Sequence, residues 1–207
     1  MQPLTRFSRS SCRWAPLVLL ACASVAHAHH LPPGMEEVDE FATGHVVSAV
    51  LHPWSGIDHL LIALGAGWAA ASMGWRRGAG LLGAFFGSLM LGLMVGRGVA
   101  VDMVMGSGLA LAVAAVGVAL SPKTASRQGL RMALVAGAGL LQGMAHASES
   151  MFSLSPGMSM AGLVLGSALI SALGCGIAYA SSKRFLAVQH WAAAAWVVTG
   201  AALWLLA

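Results

Sequence analysis

The chain has 207 residues, 58% of them hydrophobic and only 9% charged, with a mean hydropathy of +0.79. A soluble domain carries about 25% charged residues, so the composition excludes that class and points to a polytopic membrane protein. The formal net charge of +4 falls to +1 without Arg6, Arg9 and Arg13, which lie in a leading segment expected to be removed. That excludes reading the basic balance as a nucleic-acid footprint. The remaining Lys and Arg report topology instead.

Residues 1–28 read as a cleaved secretory signal. Arg6, Arg9 and Arg13 form a basic head, Ala15 to Val25 an apolar run too short to span a bilayer comfortably, and Ala26-His27-Ala28 a small-residue cleavage site. Lipoprotein processing at Cys22, after Leu-Leu-Ala, is the alternative. Cleavage after Ala28 exposes His29 and His30 at the new N-terminus. An α-amine and two imidazoles within two residues can chelate a tetragonal ion such as Ni(II) or Cu(II); the other reading is that both merely flank the cleavage site. Residues 29–44 form an extracytoplasmic lead-in, with a Pro-Pro-Gly turn and Glu36, Glu37, Asp39 and Glu40 as a solvated acidic face.

Residues 45–207 are expected to form an all-α bundle of six transmembrane helices, at about 45–74, 79–97, 99–120, 130–148, 158–181 and 186–206. Each is close to the roughly 20 residues a span needs. The first is long, and Pro53 with Gly56 predicts a break, with the full span starting at Pro53 and a shorter piece before it. Arg76 and Arg77, then Lys123, Arg127 and Arg131, then Lys183 and Arg184 fall in alternate loops. By the positive-inside rule those loops are cytoplasmic, so the mature N-terminus and the C-terminus both lie outside, in the periplasm of a bacterial inner membrane. A cleaved signal demands the same orientation. Gly83-x3-Gly87, Gly92-x3-Gly96 and Gly162-x3-Gly166 are expected at close helix contacts. Trp191 and Trp204 read as interfacial anchors, and His190 as their neighbour. Cys175 is alone after the leader, so no disulfide framework and no cysteine metal site is available.

Ionisable residues inside a membrane are costly and mark functional sites. Two groups stand out. His45, His52, Asp58 and His59 head the first span. On a continuous helix the histidines would form a ladder with steps of about 10 Å, too far apart for one ion. A break at Pro53–Gly56 would instead fold His52 back towards Asp58 and His59. The second group is Gln142, His146 and Glu149, whose spacings of four and three place them on one stripe of the fourth span. Imidazole and carboxylate together suit divalent first-row ions. His52, Asp58, His59, His146 and Glu149 are therefore the candidate metal-contacting residues of the bundle, with His29 and His30 a candidate collection point outside.

His52-Pro-Trp-Ser-Gly-Ile-Asp58-His59-Leu-Leu resembles the first signature of the HupE/UreJ family of nickel and cobalt permeases, whose core is H-x5-D-H. The second family signature is roughly F-H-G-x-A-H-G-x-E. Here the chain reads Leu141-Gln142-Gly143-Met144-Ala145-His146-Ala147-Ser148-Glu149, matching at Gly143, Ala145, His146 and Glu149 and departing at Leu141, Gln142 and Ala147. The resemblance takes in nearly the whole chain. It implies a permease, not an enzyme, that takes up Ni(II) or Co(II) for a metalloenzyme such as a hydrogenase or urease. The ion is cargo; no prosthetic group is implied. By matching position, His52, Asp58, His59, His146 and Glu149 inherit metal contact. Gln142 stands where the family has a histidine, which bears on metal choice.

In this reading the ion passes to Asp58, His59, His146 and Glu149, with His52 at the entrance. Carboxylates offset the charge of an ion that is otherwise desolvated at great cost. Neutral histidine is the ligating form, so uptake falls as pH drops through the histidine range. No G-x4-G-K-[ST] motif occurs, so transport is passive, ion-coupled or energised by a separate partner. A homo-oligomer and a periplasmic metal-binding partner are both compatible with the chain. Two rivals use the same residues: an intramembrane zinc hydrolase, which would need three protein ligands and an open water position, and a proton-coupled carrier with no metal.

Overall fold

The structure is a computed structural model that describes residues 42–96, 104–151, 156–181 and 185–207. Among these every regular element is helical and there is no strand. The leader, the acidic lead-in, His29 and His30 lie outside the described residues, as do Arg97 and Asp102.

Two short helices open the described chain, α1 (Ala42–Ser55) and α2 (Ile57–Ala71). They meet at 88°. The expected break is there, but it falls at Gly56, with Pro53 inside the last turn of α1 instead of starting the next helix. Gly56 is extended, at φ −94° and ψ 121°, and serves as the N-cap of α2. Pro53 has no N–H to offer the Ala49 carbonyl and its ring crowds that carbonyl, so it weakens the last turn of α1 just before the bend. The turn after α2 closes on Gly74, whose φ of 76° is left-handed and suits a residue without Cβ.

The chain continues through α3 (Trp75–Val95), a π-helical turn (Val104–Gly108), α4 (Leu109–Leu120), a 3-10 turn (Pro122–Thr124), α5 (Gln128–Met151), α6 (Pro156–Ala180) and α7 (Phe185–Leu206). Helix α3 packs on α5, α4 on α7, and α6 on both α1 and α2. Helix α2 also meets α3 and α4. The core between them is apolar: Ile62, Ala66, Phe85, Leu89, Leu93, Val113, Val116 and Ile170 are buried.

Two helices, Trp75–Val95 and Gly157–Ala180, are long and apolar enough to cross a membrane, and the bent pair α1–α2 adds a third if it is one span. Counted over the described residues alone, that is three at most against the six expected. Among the described residues of the third stretch, Leu109–Leu120 is regular α-helix and follows the π-helical turn. Helices α5 and α7 are long, but Arg131, Gln142 and His146 in one and Gln189 and His190 in the other lower their apolarity.

The small residues divide in an instructive way. A Cβ on Gly92 would collide with the Leu140 carbonyl, and one on Gly143 with the Leu89 carbonyl, so α3 and α5 touch backbone to backbone. Gly162 and Gly166 likewise admit Val46, Ala49 and Val50 of α1. Gly83 and Gly87 face open space, against expectation. Nine residues turn a helix by about two and a half turns. Gly83 and Gly87 are therefore on the opposite face of α3 from Gly92 and Gly96, and only one pair can meet α5.

Candidate metal site

Helix α2 is held tightly. Trp196 Nε1 of α7 donates to the Leu61 carbonyl at 2.9 Å, Ser171 Oγ of α6 to the Ala63 carbonyl at 3.0 Å, and Cys175 Sγ to the Gly67 carbonyl at 3.0 Å. Each takes the second lone pair of a helical carbonyl, so a polar group is satisfied without breaking the helix. His59, on the third residue of α2, is fixed by this frame and is 3% exposed. His146 is 1% exposed on α5, anchored by the close α3–α5 contact through Gly143.

The bend at Gly56 brings in the third imidazole. His52 in α1 is partly buried, and its ring centroid lies 5.9 Å from that of His59 and 5.0 Å from that of His146. The His59 and His146 rings are 4.2 Å apart. A ladder of separate rungs is thereby excluded for His52 and His59. His52 is one corner of a triangle drawn from three helices, and the most exposed of the three. His45 also lies on α1, but its side chain is outside the described residues.

One ligand atom from each of His52, His59 and His146 lies within 4.8 Å of the other two. Two nitrogens bound to one ion at about 2.1 Å each can be at most about 4.2 Å apart. Small ring rotations therefore close the triangle on a first-row divalent ion.

Asp58 is placed differently from the expectation that it faces the ion directly. Its Oδ1 accepts from the His59 backbone N–H at 2.8 Å and lies 3.7 Å from His59 Nδ1. A carboxylate in the first turn is favoured by the positive end of the helix dipole. At 3.7 Å it places negative charge beside the imidazole without a direct hydrogen bond between the two side chains. Glu149 lies on α5 three residues beyond His146, with its side chain outside the described residues. Gln142, one turn before His146, is wholly buried and donates through Nε2 to Ser167 Oγ of α6 at 3.4 Å. Ser167 carried no signal in the sequence, being one serine within an apolar run.

A family model described as HupE / UreJ protein matches residues 17–203. The chain belongs to the HupE / UreJ family. This HupE / UreJ chain is thus a membrane protein of a transporter family, and the match spans all the residues that build the imidazole triangle. No curated protein and no solved structure gives a match.

Arg131 is the other buried polar centre, at the opposite end of the same two helices. It is 2% exposed. Its Nη1 donates to Ser72 Oγ at 3.0 Å, its Nη2 to the Ser121 carbonyl at 3.3 Å, and its Nε to Thr124 Oγ1 at 3.4 Å. It joins the end of α2 to the 3-10 turn and the start of α5. Sequence reasoning counted it as a loop charge; nothing in the local sequence separates it from the exposed Arg127.

Proposed function

We propose that this chain is a permease for a divalent first-row cation, nickel or cobalt, with six spans after a cleaved signal and both mature termini outside. The observation that carries this reading is the buried triangle of His52, His59 and His146, drawn from three helices, with ligand atoms within 4.8 Å of one another. Membership of a family associated with nickel and cobalt transport supports the choice of cargo. Neutral imidazoles replace the hydration shell of the ion inside the bundle, and Asp58, bonded to the His59 backbone N–H, contributes negative charge beside the site. Glu149 would add a second carboxylate, and His29 and His30 would collect the ion outside. The basic loops at Arg76–Arg77, Lys123–Arg131 and Lys183–Arg184 support the orientation.

The test is uptake of radioactive nickel and cobalt in a host stripped of its own nickel transporters. Expression of the parent chain should raise cell-associated metal. A parent that accumulates neither ion at normal expression sinks the permease reading.

Three protein nitrogens with room for a fourth ligand also describe a catalytic zinc site. The triangle supports that rival equally well on ligand count. Hydrolysis by purified protein, with no change in metal flux, would favour it.

A further inference from the structure

This inference rests on the permease reading and concerns how the ion leaves the imidazole triangle. The helices fall into two groups. In one, α6 is locked to α1 and α2: a Cβ on Gly67 would collide with the Ser171 carbonyl, one on Gly174 with the Leu64 carbonyl and one on Gly166 with the Val50 carbonyl. In the other, α3 is locked to α5 through Gly92, Gly139 and Gly143, and α4, which also lies along α5, to α7 through Gly117 and Gly200. Small residues that let backbones meet mark tightly held helix pairs. A seam runs between the groups. Val116 and Trp196 reach Gly65 across it through their side chains, and α3 and α5 touch α6 only lightly. An apolar groove opens there between Met90 of α3 and Met160, Val164, Leu165 and Ala168 of α6. Backbone meets backbone across the seam beside the α2–α3 turn, where Gly78 faces the Ala70 carbonyl, so that edge is the hinge side.

Arg131, Val135, Ala138, Gln142 and His146 are buried and stand three or four residues apart, on one stripe of α5 that faces the seam. At its outer end His146 meets His52 and His59 of the other group. At its inner end, about 22 Å away along the helix, Arg131 Nη1 donates across the seam to Ser72 Oγ at 3.0 Å. The other bonds of Arg131, to the Ser121 carbonyl and Thr124 Oγ1, stay within its own group.

We propose that the ion leaves inward along this seam when the two groups part, and that Arg131, fastened to Ser72, is the gate at its inner end. The triangle straddles the seam, with two imidazoles on one group and one on the other, so parting the groups loosens the hold on the ion. Val135 and Ala138 plug the stretch between while the groups are closed. Beyond them the guanidinium sets a fixed positive charge in front of a dication, which is how arginine excludes cations from a pore. Breaking the bond to Ser72 lets Arg131 withdraw with α5 and the 3-10 turn, still held by its own group.

The experiment measures how fast a charged methanethiosulfonate labels a reporter cysteine in the purified protein in liposomes, in a Cys175→Ser background that keeps a donor to the Gly67 carbonyl. Ala138→Cys reports the seam, and Ala110→Cys, buried on α4 where it meets α7, reports the interior of one group. Ser72→Ala removes the bond from Arg131 across the seam. It should speed labelling of Ala138→Cys about threefold or more, the worth of one interhelical hydrogen bond in a membrane protein, and leave Ala110→Cys unchanged. Thr124→Ala, which removes a bond within one group, should speed neither. Labelled Ala138→Cys should then lose most of its nickel influx, because the attached group stands in the path. If Ala138→Cys does not fold, Val135→Cys on the same stripe takes its place. An unchanged labelling rate with Ser72→Ala, an equal rise at both reporters, or parent-like influx after labelling overturns the gated seam while leaving the permease reading intact. A parent that moves neither nickel nor cobalt overturns the permease reading, and this inference with it.

Discussion

Helices α2 and α5 each carry a polar group near both ends, and the two ends are built differently. At one end His59 and His146 meet His52 with three like groups converging on a common point. At the other, Arg131 directs donors to Ser72 Oγ, the Ser121 carbonyl and Thr124 Oγ1, three neutral acceptors on two elements. Like groups converging on one point repel one another when charged, and each offers one ligand atom to an ion. One cation surrounded by acceptors is complete as it stands. Burial and polarity alone do not distinguish a site from a clasp; the chemistry of the neighbours does.

The comparison can be broken most directly at the imidazole end. His59→Ala should reduce nickel uptake by more than about tenfold. Matching helical circular dichroism and detergent elution are the control that the variant is folded. Parent-like uptake would remove the triangle from the mechanism. A change of pH acts on the same end without mutation. Protons compete with the ion for imidazole nitrogen, and the neutral ring is the ligating form. Influx should therefore decline as the outside is acidified, with KM rising more than Vmax falls. Arg131→Met should produce the reverse pattern to His59→Ala. Losing charge-assisted hydrogen bonds worth about 1.5–3 kcal/mol each should lower the melting temperature in detergent. The metal affinity of the protein that remains folded should be unchanged, and a large rise in KM would show the two ends to be coupled. Ser171→Ala should be mildest. It deletes one interhelical hydrogen bond, worth about 0.6 kcal/mol in a membrane protein, so a small drop in melting temperature with parent-like influx is expected.

Much of this arrangement was legible before any coordinates. Proline and glycine between two histidines seven apart announced a break, because a continuous helix would have stranded them on separate turns. The stripe of Gln142 and His146 announced a partner face. The residue at which the chain turns was not legible, since Pro53 and Gly56 both suit a helix boundary and only packing against α6 chooses. The nine-residue offset within α3 could have been read as opposite faces for its two glycine pairs, yet the spacing inside each pair drew the eye instead. Arg131 and Ser167 were out of reach. What distinguishes them is which neighbour they meet across the bundle, and Ser72 is 59 residues away from Arg131 in sequence.

The bend at Gly56 has a mechanical consequence. All three imidazoles ride on helices in close backbone contact with a neighbour, and His52 sits across the bend from the other two. His52 is four residues, about 6 Å, from the pivot, so a change of about 10° in the angle carries its backbone by about 1 Å. That exceeds the difference between a triangle of up to 4.8 Å and the span two nitrogens can share on one ion. In the permease reading, an ion held by all three imidazoles would fix that angle.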